Sequence, residues 1–353
     1  MAKRERFEND LRNRRALRGW SQEEVALRSG LSRAGISAIE TGRLIPSTSA
    51  ALALAAALEC RVEDLFRLRQ PESREPTWAW LPGRENCRYW CAKVGGSVKL
   101  YPAEATASGV LAHDGVFRSG SRPIDVAAVA DRTLVMAGCD PAAGLLAAEL
   151  ARVAGVRLIA LPRASRAALA LLSEGLVHVA GAHLAPAAQP GGNAPVVRRE
   201  LGTGYHLLRA ARWEEGIALA AGQSISSVRA VVSSKLKWVG REPGSGARQC
   251  QDELFGEGRP PRRLASDHCG VAEAVRRGWA DAGVCLRIVT EEAGLTFLPV
   301  REESYDLCFP DRWAGDDRIQ ALIQVLRSTT YRRALGELPG YNSALTGELD
   351  RVS

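Results

Sequence analysis

Residues 21–43 read SQEEVALRSGLSRAGISAIETGR, and this stretch decides the fold of the N-terminal part of the chain. Ser21 is a residue type that caps helices, and Glu24 follows it at the spacing of a capping box. Gly30, which tolerates a positive φ, predicts the end of that helix, and Ser32 predicts the cap of a second one. Two short helices joined through a glycine turn form a helix-turn-helix, whose second helix can enter the major groove of DNA.

Residues 7–66 resemble the Cro/phage-repressor type (XRE family) of helix-turn-helix domain, because many positions along this range agree in order without a gap. The resemblance implies that Arg33, Ala34 and Ser37 meet base edges. The full set of DNA-binding residues that it implies is Arg15, Gln22, Ser32, Arg33, Ala34, Ser37 and Arg43, with Arg15, Gln22 and Arg43 at phosphates. A helical dimerisation or protein-binding module is the alternative for the whole segment.

The size and charge of the chain are consistent with a DNA-binding protein of more than one domain. Its 353 residues suggest two or three domains, and its formal net charge is +7 at pH 7. The charged residues 1–6 are not followed by an apolar run, and no stretch has the length of a membrane span, so we expect neither export nor membrane contact. Eight cysteines then predict free thiols in a reducing cytoplasm.

The sequence predicts a multidomain fold with four segments. Residues 1–68 form the all-α helix-turn-helix domain, and the polar, proline-containing residues 69–77 form a linker. Residues 78–129 form a small β-rich connecting segment, in which a two-glycine loop at 95–96 joins two strands as a hairpin. Residues 130–353 form a bilobed α/β domain, because buried strands there alternate with helices.

An internal sequence repeat in this last segment predicts the two lobes. Residues 174–184 correspond to residues 277–286, which places His183 and Cys285 at equivalent positions. Two lobes that face each other across a cleft are the architecture of a hinged ligand receptor. The predicted strands are 133–137, 156–161 and 177–181, then 215–219, 237–240 and 281–284, followed by two crossing strands at 295–300 and 305–309. One amphipathic helix at 319–335 and an irregular tail complete the prediction.

Residues 130–349 resemble the periplasmic-binding-protein-like domain of type II topology that some bacterial transcription regulators carry behind a helix-turn-helix. Its relatives include molybdate-binding modules. The motifs that carry this resemblance are AGCDPA at 137–142, GAHL at 181–184, REPGSGAR at 241–248, ADAG at 280–283, ESYD at 303–306 and GY at 340–341. Related modules often have Ser-His where this chain has Gly138-Cys139. The resemblance implies that the C-terminal domain binds a small ligand.

A small anion is the leading prediction for that ligand. Four turns open helices toward the predicted cleft, with Ser165 and Ser266 as helix caps, and helix N-termini offer N–H groups to anions. The predicted ligand-binding residues are Cys139, Asp140, Ser165, His183, Gly244, Ser245, Gly246, Arg248, Ser266 and His268. The bound species would be an oxyanion such as molybdate or tungstate, or another small anion.

A soft metal ion or a thiol-based sensor is the main alternative. Several thiols and imidazoles would converge on the cleft if the fold brings them together. The candidate ligands are Cys139, Cys269, Cys285, Cys308, His183 and His268. A small organic ligand, including one linked through a thiol, is a further alternative. Ser245, Asp267 and His268 are residue types used in nucleophilic catalysis, but the chain lacks a Gly-x-Ser-x-Gly elbow, so we do not expect an enzyme.

Together these observations predict a one-component transcriptional regulator. It would bind double-stranded operator DNA as a homodimer on a pseudo-palindrome, and a small effector in the C-terminal domain would change that binding. The alternative without an effector is a constitutive repressor whose C-terminal domain serves only as an oligomerisation scaffold.

Overall fold

The computed structural model describes residues 7–68, 76–104, 111–118, 127–189, 191–223, 225–256 and 261–352. The chain divides into two compact units, Met1–Glu75 and Pro76–Ser353. Most of the predicted linker, residues 69–75, lies outside the described residues. No helix in the described ranges combines the length and apolar character needed to cross a membrane.

Unit 1 contains the predicted helix-turn-helix. Its helices are α1 (Leu11–Leu17), α2 (Gln22–Ser29), α3 (Arg33–Glu40), α4 (Thr48–Ala57) and α5 (Val62–Leu65). The Ser21 and Ser32 hydroxyls accept hydrogen bonds from the N–H groups of Glu24 and Gly35, and Gly30 has a φ of 69°. These contacts confirm the predicted caps and turn. The core of the unit is formed by Leu11, Val25, Ile36, Ile39, Leu54, Leu58 and Leu65.

Two short strands join the ends of this unit, which the sequence analysis did not predict. Strand β1 (Phe7–Asn9) pairs antiparallel with β2 (Phe66–Leu68). The pairing depends on residues almost 60 positions apart, and neither strand is long enough to show an alternating pattern. It holds the first and last elements of the helical domain together.

Unit 2 begins with a small four-stranded sheet in the order β3-β5-β4-β6. Its strands are β3 (Thr77–Trp78), β4 (Arg88–Val94), β5 (Ser97–Pro102) and β6 (Gly115–Val116). Gly95 and Gly96 have φ values of 59° and 85°, which confirms the predicted two-residue hairpin loop. The Tyr101 hydroxyl donates to the Leu176 carbonyl at 2.6 Å, and Arg157 donates twice to Asp114 at 2.6 Å. The small sheet is therefore built into unit 2.

The rest of unit 2 is two similar lobes on one large sheet. The first lobe contains α6 (Ala127–Asp131), β7 (Thr133–Gly138), α7 (Ala143–Ala154), β8 (Arg157–Pro162), α8 (Ser165–Ser173), β9 (Val179–Ala182) and α9 (Ala194–Leu201). A long strand β10 (Tyr205–Leu219) then leads to the second lobe. That lobe contains α10 (Val228–Ser233), β11 (Trp238–Arg241), α11 (Gly246–Phe255), β12 (Arg263–Ala265), α12 (His268–Arg276), β13 (Ala282–Leu286) and α13 (Arg287–Glu292). The chain ends with β14 (Thr296–Pro310), α14 (Asp317–Arg327), α15 (Thr329–Gly336), β15 (Tyr341–Asn342) and β16 (Leu349–Val352).

The order of strands in the large sheet confirms the predicted internal repeat. It runs β12-β11-β13-β10-β14-β9-β7-β8, so β13 and β9 occupy matching places on either side of the central pair. Within each lobe the strands are parallel, whereas β10 and β14 pair with each other antiparallel along their length. The carboxyl ends of parallel strands and the first turns of the following helices therefore meet between the lobes.

Several predicted elements were wrong in extent. The predicted strand 215–219 is the last third of β10, and the two predicted crossing strands are one continuous strand, β14. The predicted helix 319–335 is broken because the Ser328 hydroxyl accepts the Tyr331 N–H and starts α15. The tail at 340–348 that was predicted to be irregular contains β15, which pairs with β10, and β16 follows it and pairs with β10 as well. Backbone pairing of distant segments decided the extents of the strands, whereas a local serine cap decided the break in the helix.

Two predicted helix caps were also wrong. Ala164, not Ser165, is the residue before α8, and the Ser165 hydroxyl instead accepts the His183 N–H at 3.2 Å. Asp267, not Ser266, caps α12, where its carboxylate accepts the Gly270 N–H at 2.7 Å. The charged carboxylate of Asp267 is a stronger hydrogen-bond acceptor for the N–H groups of α12 than the hydroxyl of Ser266.

Replacing His178 by glutamine is expected to remove a pH dependence from the stability of unit 2. This imidazole accepts the Val135 N–H and contacts the Lys93 carbonyl at 2.9 Å, which joins the two sheets. Burial and the charge of Arg318 lower the pKa of His178 to about 4 from a usual 6.5. The neutral form therefore contributes about 3 kcal/mol above pH 6.5, which is lost as the pH falls toward 4. Urea unfolding of both proteins across this range measures the difference, and identical pH slopes would contradict the assignment.

Candidate functional site

The lobe junction brings a thiol and an imidazole into direct contact. Cys139 follows β7 and His183 follows β9, and these strands are parallel neighbours in the sheet. The Sγ atom of Cys139 lies 3.0 Å from Nε2 of His183. Both residues were predicted from the sequence to face the cleft, and the structure places them together there.

His183 is oriented by a buried carboxylate. Its Nδ1 atom donates to Oε2 of Glu303, on β14, at 2.7 Å. Glu303 in turn accepts from Arg301 at 2.5 Å. Burial alone would lower the pKa of His183, but the charges of Cys139 and Glu303 raise it well above its usual value. The hydrogen bond to Glu303 fixes the ring so that Nε2 points toward Cys139.

Space for this imidazole depends on a glycine in the second lobe. A Cβ atom at Gly246 would overlap the carbonyl and ring of His183. Gly246 is the last residue of the Gly-Ser-Gly sequence at 244–246 and the first residue of α11, and its lack of a side chain leaves the space that His183 occupies. The sequence analysis assigned Gly246 to the approach of a ligand, whereas the structure uses its space for His183.

His268 approaches from the second lobe as the first residue of α12. It is 1% exposed, and neither ring nitrogen has a hydrogen-bond partner among the described residues. Its ring centre lies 5.9 Å from that of His183. The Sγ atom of Cys139 and one nitrogen of each histidine all lie within 4.8 Å of one another. Burial and the charges of Arg241 and His183 lower the pKa of His268, so this imidazole is neutral.

Two further polar groups at the junction have unused hydrogen-bonding atoms. Arg241, at the end of β11, pairs with Glu242 through two bonds of 3.0 Å, but its Nη1 atom has no partner within the described chain. The hydroxyl of Tyr305 likewise donates to no described residue. This hydroxyl has room because residues 138 and 181 are glycines. A Cβ atom at either Gly138 or Gly181 would overlap the hydroxyl of Tyr305. The sequence analysis did not identify Arg241 or Tyr305 as site residues, although both lie in the motifs it quoted.

The groups predicted to hold an anion already have partners within the protein. The Ser245 hydroxyl donates to the Glu242 carbonyl at 3.0 Å and accepts the Arg248 N–H at 3.2 Å. The Arg248 guanidinium pairs with Asp252 at 2.8 Å. Ser266 lies outside the helix whose start it was predicted to cap, and its hydroxyl is 3.5 Å from Asp267. These contacts reduce the number of donors that are free to bind an anion.

Carboxylates of the chain also occupy two of the predicted helix N-termini. Oδ1 of Asp140 accepts the Ala142 N–H at 2.8 Å beside α7, and it also accepts the Tyr341 hydroxyl at 2.6 Å. Asp267 fills the start of α12 in the same way. A helix N-terminus that already holds a carboxylate repels a second anion.

The other candidate cysteines are not part of this compact group of donor atoms. Cys269 is exposed, and Cys308 is buried within β14. Cys285 is buried, with its Sγ atom 3.4 Å from the His268 carbonyl, and burial raises its pKa to about 12. Among the described cysteines, Cys139 is the one that joins two imidazoles in a compact group.

A cavity of about 840 Å³ opens beside this group. Cys139 and His268 line one end of it, and Trp90 lines the part next to the small sheet. Small residues of α7, including Ala143, Gly144, Ala147 and Ala151, line one wall. The cavity gives a solute a route to the thiol at the junction.

In unit 1 the predicted DNA-binding residues divide into two groups. Arg33 and Ala34 on α3, Ser32 before it and Arg43 after it are exposed, and Ser37 on α3 is half-buried. Arg15 and Gln22 instead donate to the carboxylate of Glu40, at 2.6 Å and 2.8 Å. Arg15 also donates to the Trp20 carbonyl at 2.8 Å. These last contacts hold α1, α2 and α3 together, a structural role that the sequence analysis did not predict.

Comparison with known proteins finds two matching families. The model described as "PBP superfamily domain" matches residues 147–327, and the helix-turn-helix model matches residues 11–65. The uncharacterised protein YvgK of Bacillus subtilis (strain 168) is 28% identical over 186 residues, which cover 50% of this chain and 60% of that protein. The chain thus spans less than two thirds of this curated relative.

Solved structures are similar to this chain at low sequence identity. An ABC-type phosphate transport receptor from Vibrio cholerae is 13% identical with a TM-score of 0.43, covering 58% of this chain and 97% of that one. The ancestral amino acid-binding protein AncCDT-1, a precursor of cyclohexadienyl dehydratase, is 14% identical with a TM-score of 0.44, covering 59% and 95% of the two chains.

Proposed function

The chain belongs to the PBP superfamily domain family and carries a helix-turn-helix domain, and from this premise we propose that it is a ligand-responsive transcriptional regulator. The helix-turn-helix suggests DNA binding, and the C-terminal domain is of a ligand-binding type. The finer proposal is that the protein binds operator DNA as a homodimer in the cytoplasm. An effector at the lobe junction then changes the affinity for that operator.

One observation carries the effector half of this proposal. His268 is buried between the lobes with both ring nitrogens unpartnered within the described chain. A buried polar group without a partner costs about 1–3 kcal/mol, so a group at this place that provides a partner would stabilise the closed lobes. Because His268 belongs to the second lobe and Cys139 to the first, a ligand that contacts both would favour closure.

An oxyanion such as molybdate or tungstate is one candidate effector, and a metal ion is the other. The oxyanion is favoured by the unpartnered Nη1 atom of Arg241 and the unpartnered hydroxyl of Tyr305, which are both buried donors. It is disfavoured by the carboxylates of Asp140 and Asp267, which occupy the starts of α7 and α12. An effector screen should therefore include oxyanions and metal ions side by side.

The proposal is tested with the purified, reduced full-length protein. A random double-stranded DNA library is first selected for binding, and the affinity for the recovered sequence is then measured by fluorescence anisotropy. Each candidate effector is added at increasing concentration, and a coupling of about 1–3 kcal/mol would change the affinity about 5- to 150-fold. Recovery of no specific sequence would contradict DNA-binding regulation, and an affinity unchanged by every stabilising ligand would favour the scaffold alternative.

Replacing Arg33 by alanine is expected to weaken operator binding about 10-fold or more. Arg33 is exposed at the first position of α3, and a bidentate contact between arginine and a base is worth about 1–3 kcal/mol. The stability of the domain should not change, because this side chain lies outside the core. Anisotropy with the selected operator measures the loss. Arg28→Ala, an exposed arginine on α2, is the matched control, and an equal effect of both changes would contradict base recognition by Arg33.

A further inference from the structure

We propose that Cys139, His183 and His268 form a binding site for a thiophilic transition-metal ion such as Zn²⁺, which links the two lobes. One thiolate and two imidazoles are the donors that zinc takes in proteins, and three protein ligands leave a fourth position for water or an anion. The binding of the metal follows from the geometry of the site alone. Its regulatory consequence rests on the proposed function.

The distances between the three donor atoms fit this assignment. All three lie within 4.8 Å of one another, and the closest pair, Sγ of Cys139 and Nε2 of His183, is 3.0 Å apart. In a tetrahedral zinc site with bonds of about 2.0–2.3 Å, the donor atoms are about 3.5 Å apart. Small side-chain rotations therefore convert the observed group into a coordination shell.

The surroundings of His183 are those of a metal ligand. Its Nδ1 atom donates to Glu303 at 2.7 Å, so Nε2 remains for coordination, and Glu303 is itself held by Arg301. A carboxylate behind a coordinating histidine orients the ring and increases its basicity. The metal would replace the one proton that Sγ of Cys139 and Nε2 of His183 share, and that proton leaves to water.

His268 supplies an independent reason to expect a bound ion. It is almost fully buried, and its ring makes no hydrogen bond with any described residue through either nitrogen. A structural histidine normally satisfies both nitrogens, as His178 does with Val135 and Lys93 in this same unit. Coordination through one nitrogen would account for the position of His268, with its ring facing Cys139 and His183.

The position of the ligands in the fold suggests what the ion does. Cys139 and His183 follow strands of the first lobe, whereas His268 begins α12 of the second lobe. A metal bound to all three crosses the junction, so it would stabilise the closed arrangement relative to an open one. The cavity beside Cys139 and His268 provides a route of entry.

The test uses Co²⁺ as a spectroscopic probe on the reduced, metal-free, full-length protein under anaerobic conditions. We expect one equivalent to bind, with a sulfur-to-cobalt charge-transfer band in the near ultraviolet and visible bands typical of tetrahedral Co²⁺, and Zn²⁺ should displace it. Cys139→Ser should abolish the charge-transfer band. His268→Gln should keep the band but weaken Co²⁺ binding at least about 10-fold.

Cys269→Ser is the matched control, because Cys269 is an exposed thiol next to His268 and should leave the spectrum unchanged. Circular dichroism without metal checks that each variant folds. If Cys139→Ser does not fold, the weaker Co²⁺ binding expected of His268→Gln is the test of the site. No cobalt spectrum, or a charge-transfer band that survives Cys139→Ser, would overturn the metal site. Operator binding by the metal-free protein is measured separately. A protein that binds DNA and responds to an oxyanion but not to Co²⁺ would therefore refute the metal site and retain the proposed function.

Discussion

Replacing Arg15 by alanine is expected to lower the stability of the helix-turn-helix unit by about 3–5 kcal/mol, because it leaves a buried carboxylate without its partner. The side chain of Glu40 is 3% exposed and that of Arg15 is 17% exposed, with Nε and Oε1 2.6 Å apart. Arg15 also donates to Oε2 of Glu40 and to the Trp20 carbonyl. The loss would affect the packing of α1 against α3 before it affects any contact with DNA.

The pH dependence of this contribution has a defined sign. Burial alone would raise the pKa of Glu40, but hydrogen bonds from Arg15 and Gln22 lower it overall from the usual 4.5. The pair therefore stabilises the fold above pH 4.5, and this stability is lost as the pH falls through the lowered pKa of the folded state. The difference in stability between the wild type and the Arg15→Ala protein should therefore become smaller at acid pH.

Hydrogen exchange of amides in α1, α2 and α3 of the full-length protein measures the loss. Leu17→Ala, which changes an exposed side chain on the same helix, is the control and should change protection little. A double change, Arg15→Met with Glu40→Leu, removes both charges and should recover part of the stability. Equal protection in wild type and Arg15→Ala would show that the ion pair does not support the domain.

Replacing Glu303 by alanine is expected to destabilise unit 2 by about 3–5 kcal/mol. Glu303 is fully buried and pairs with His183 at 2.7 Å and with Arg301 at 2.5 Å. Its removal takes away the acceptor of the His183 Nδ1–H and one of the carboxylates that pair with Arg301. The nearby Glu215 lies 3.2 Å from Arg301, and burial and the charge of Glu303 raise its pKa. In the Glu303→Ala protein this carboxyl should therefore ionise more readily and compensate in part at Arg301, whereas His183 still loses its hydrogen-bond acceptor.

Urea unfolding of the full-length protein, followed by tryptophan fluorescence to which the buried Trp213 beside His183 contributes, measures this loss. Glu303→Gln keeps an oxygen acceptor for the His183 N–H and should lose less. Glu302→Ala, whose side chain is exposed on the same strand, should be nearly neutral. A Glu303→Ala protein as stable as wild type would contradict the role of this carboxylate in holding His183.

Local sequence patterns were sufficient for elements whose signals lie within a few residues. The serine caps and Gly30 of the helix-turn-helix, the hairpin loop at Gly95 and Gly96, and the alternation of strands and helices in each lobe are of this kind. The family of each domain also followed from ordered motifs. The extents of β10 and β14 did not, because two 15-residue strands hold their length by pairing with each other.

The sequence by itself determined that a helix-turn-helix domain precedes a bilobed α/β domain, and that Cys139, His183 and His268 belong to the region between the lobes. Caps, glycine turns and apolar periodicity depend on near neighbours, so they can be recognised without a structure. Only the tertiary structure decided which polar groups meet. It paired Arg15 with Glu40, placed Glu303 behind His183 from 120 residues away, and left His268 unpartnered beside Cys139. Such contacts depend on the register of strands and the packing of lobes, which bring together residues that no local pattern relates.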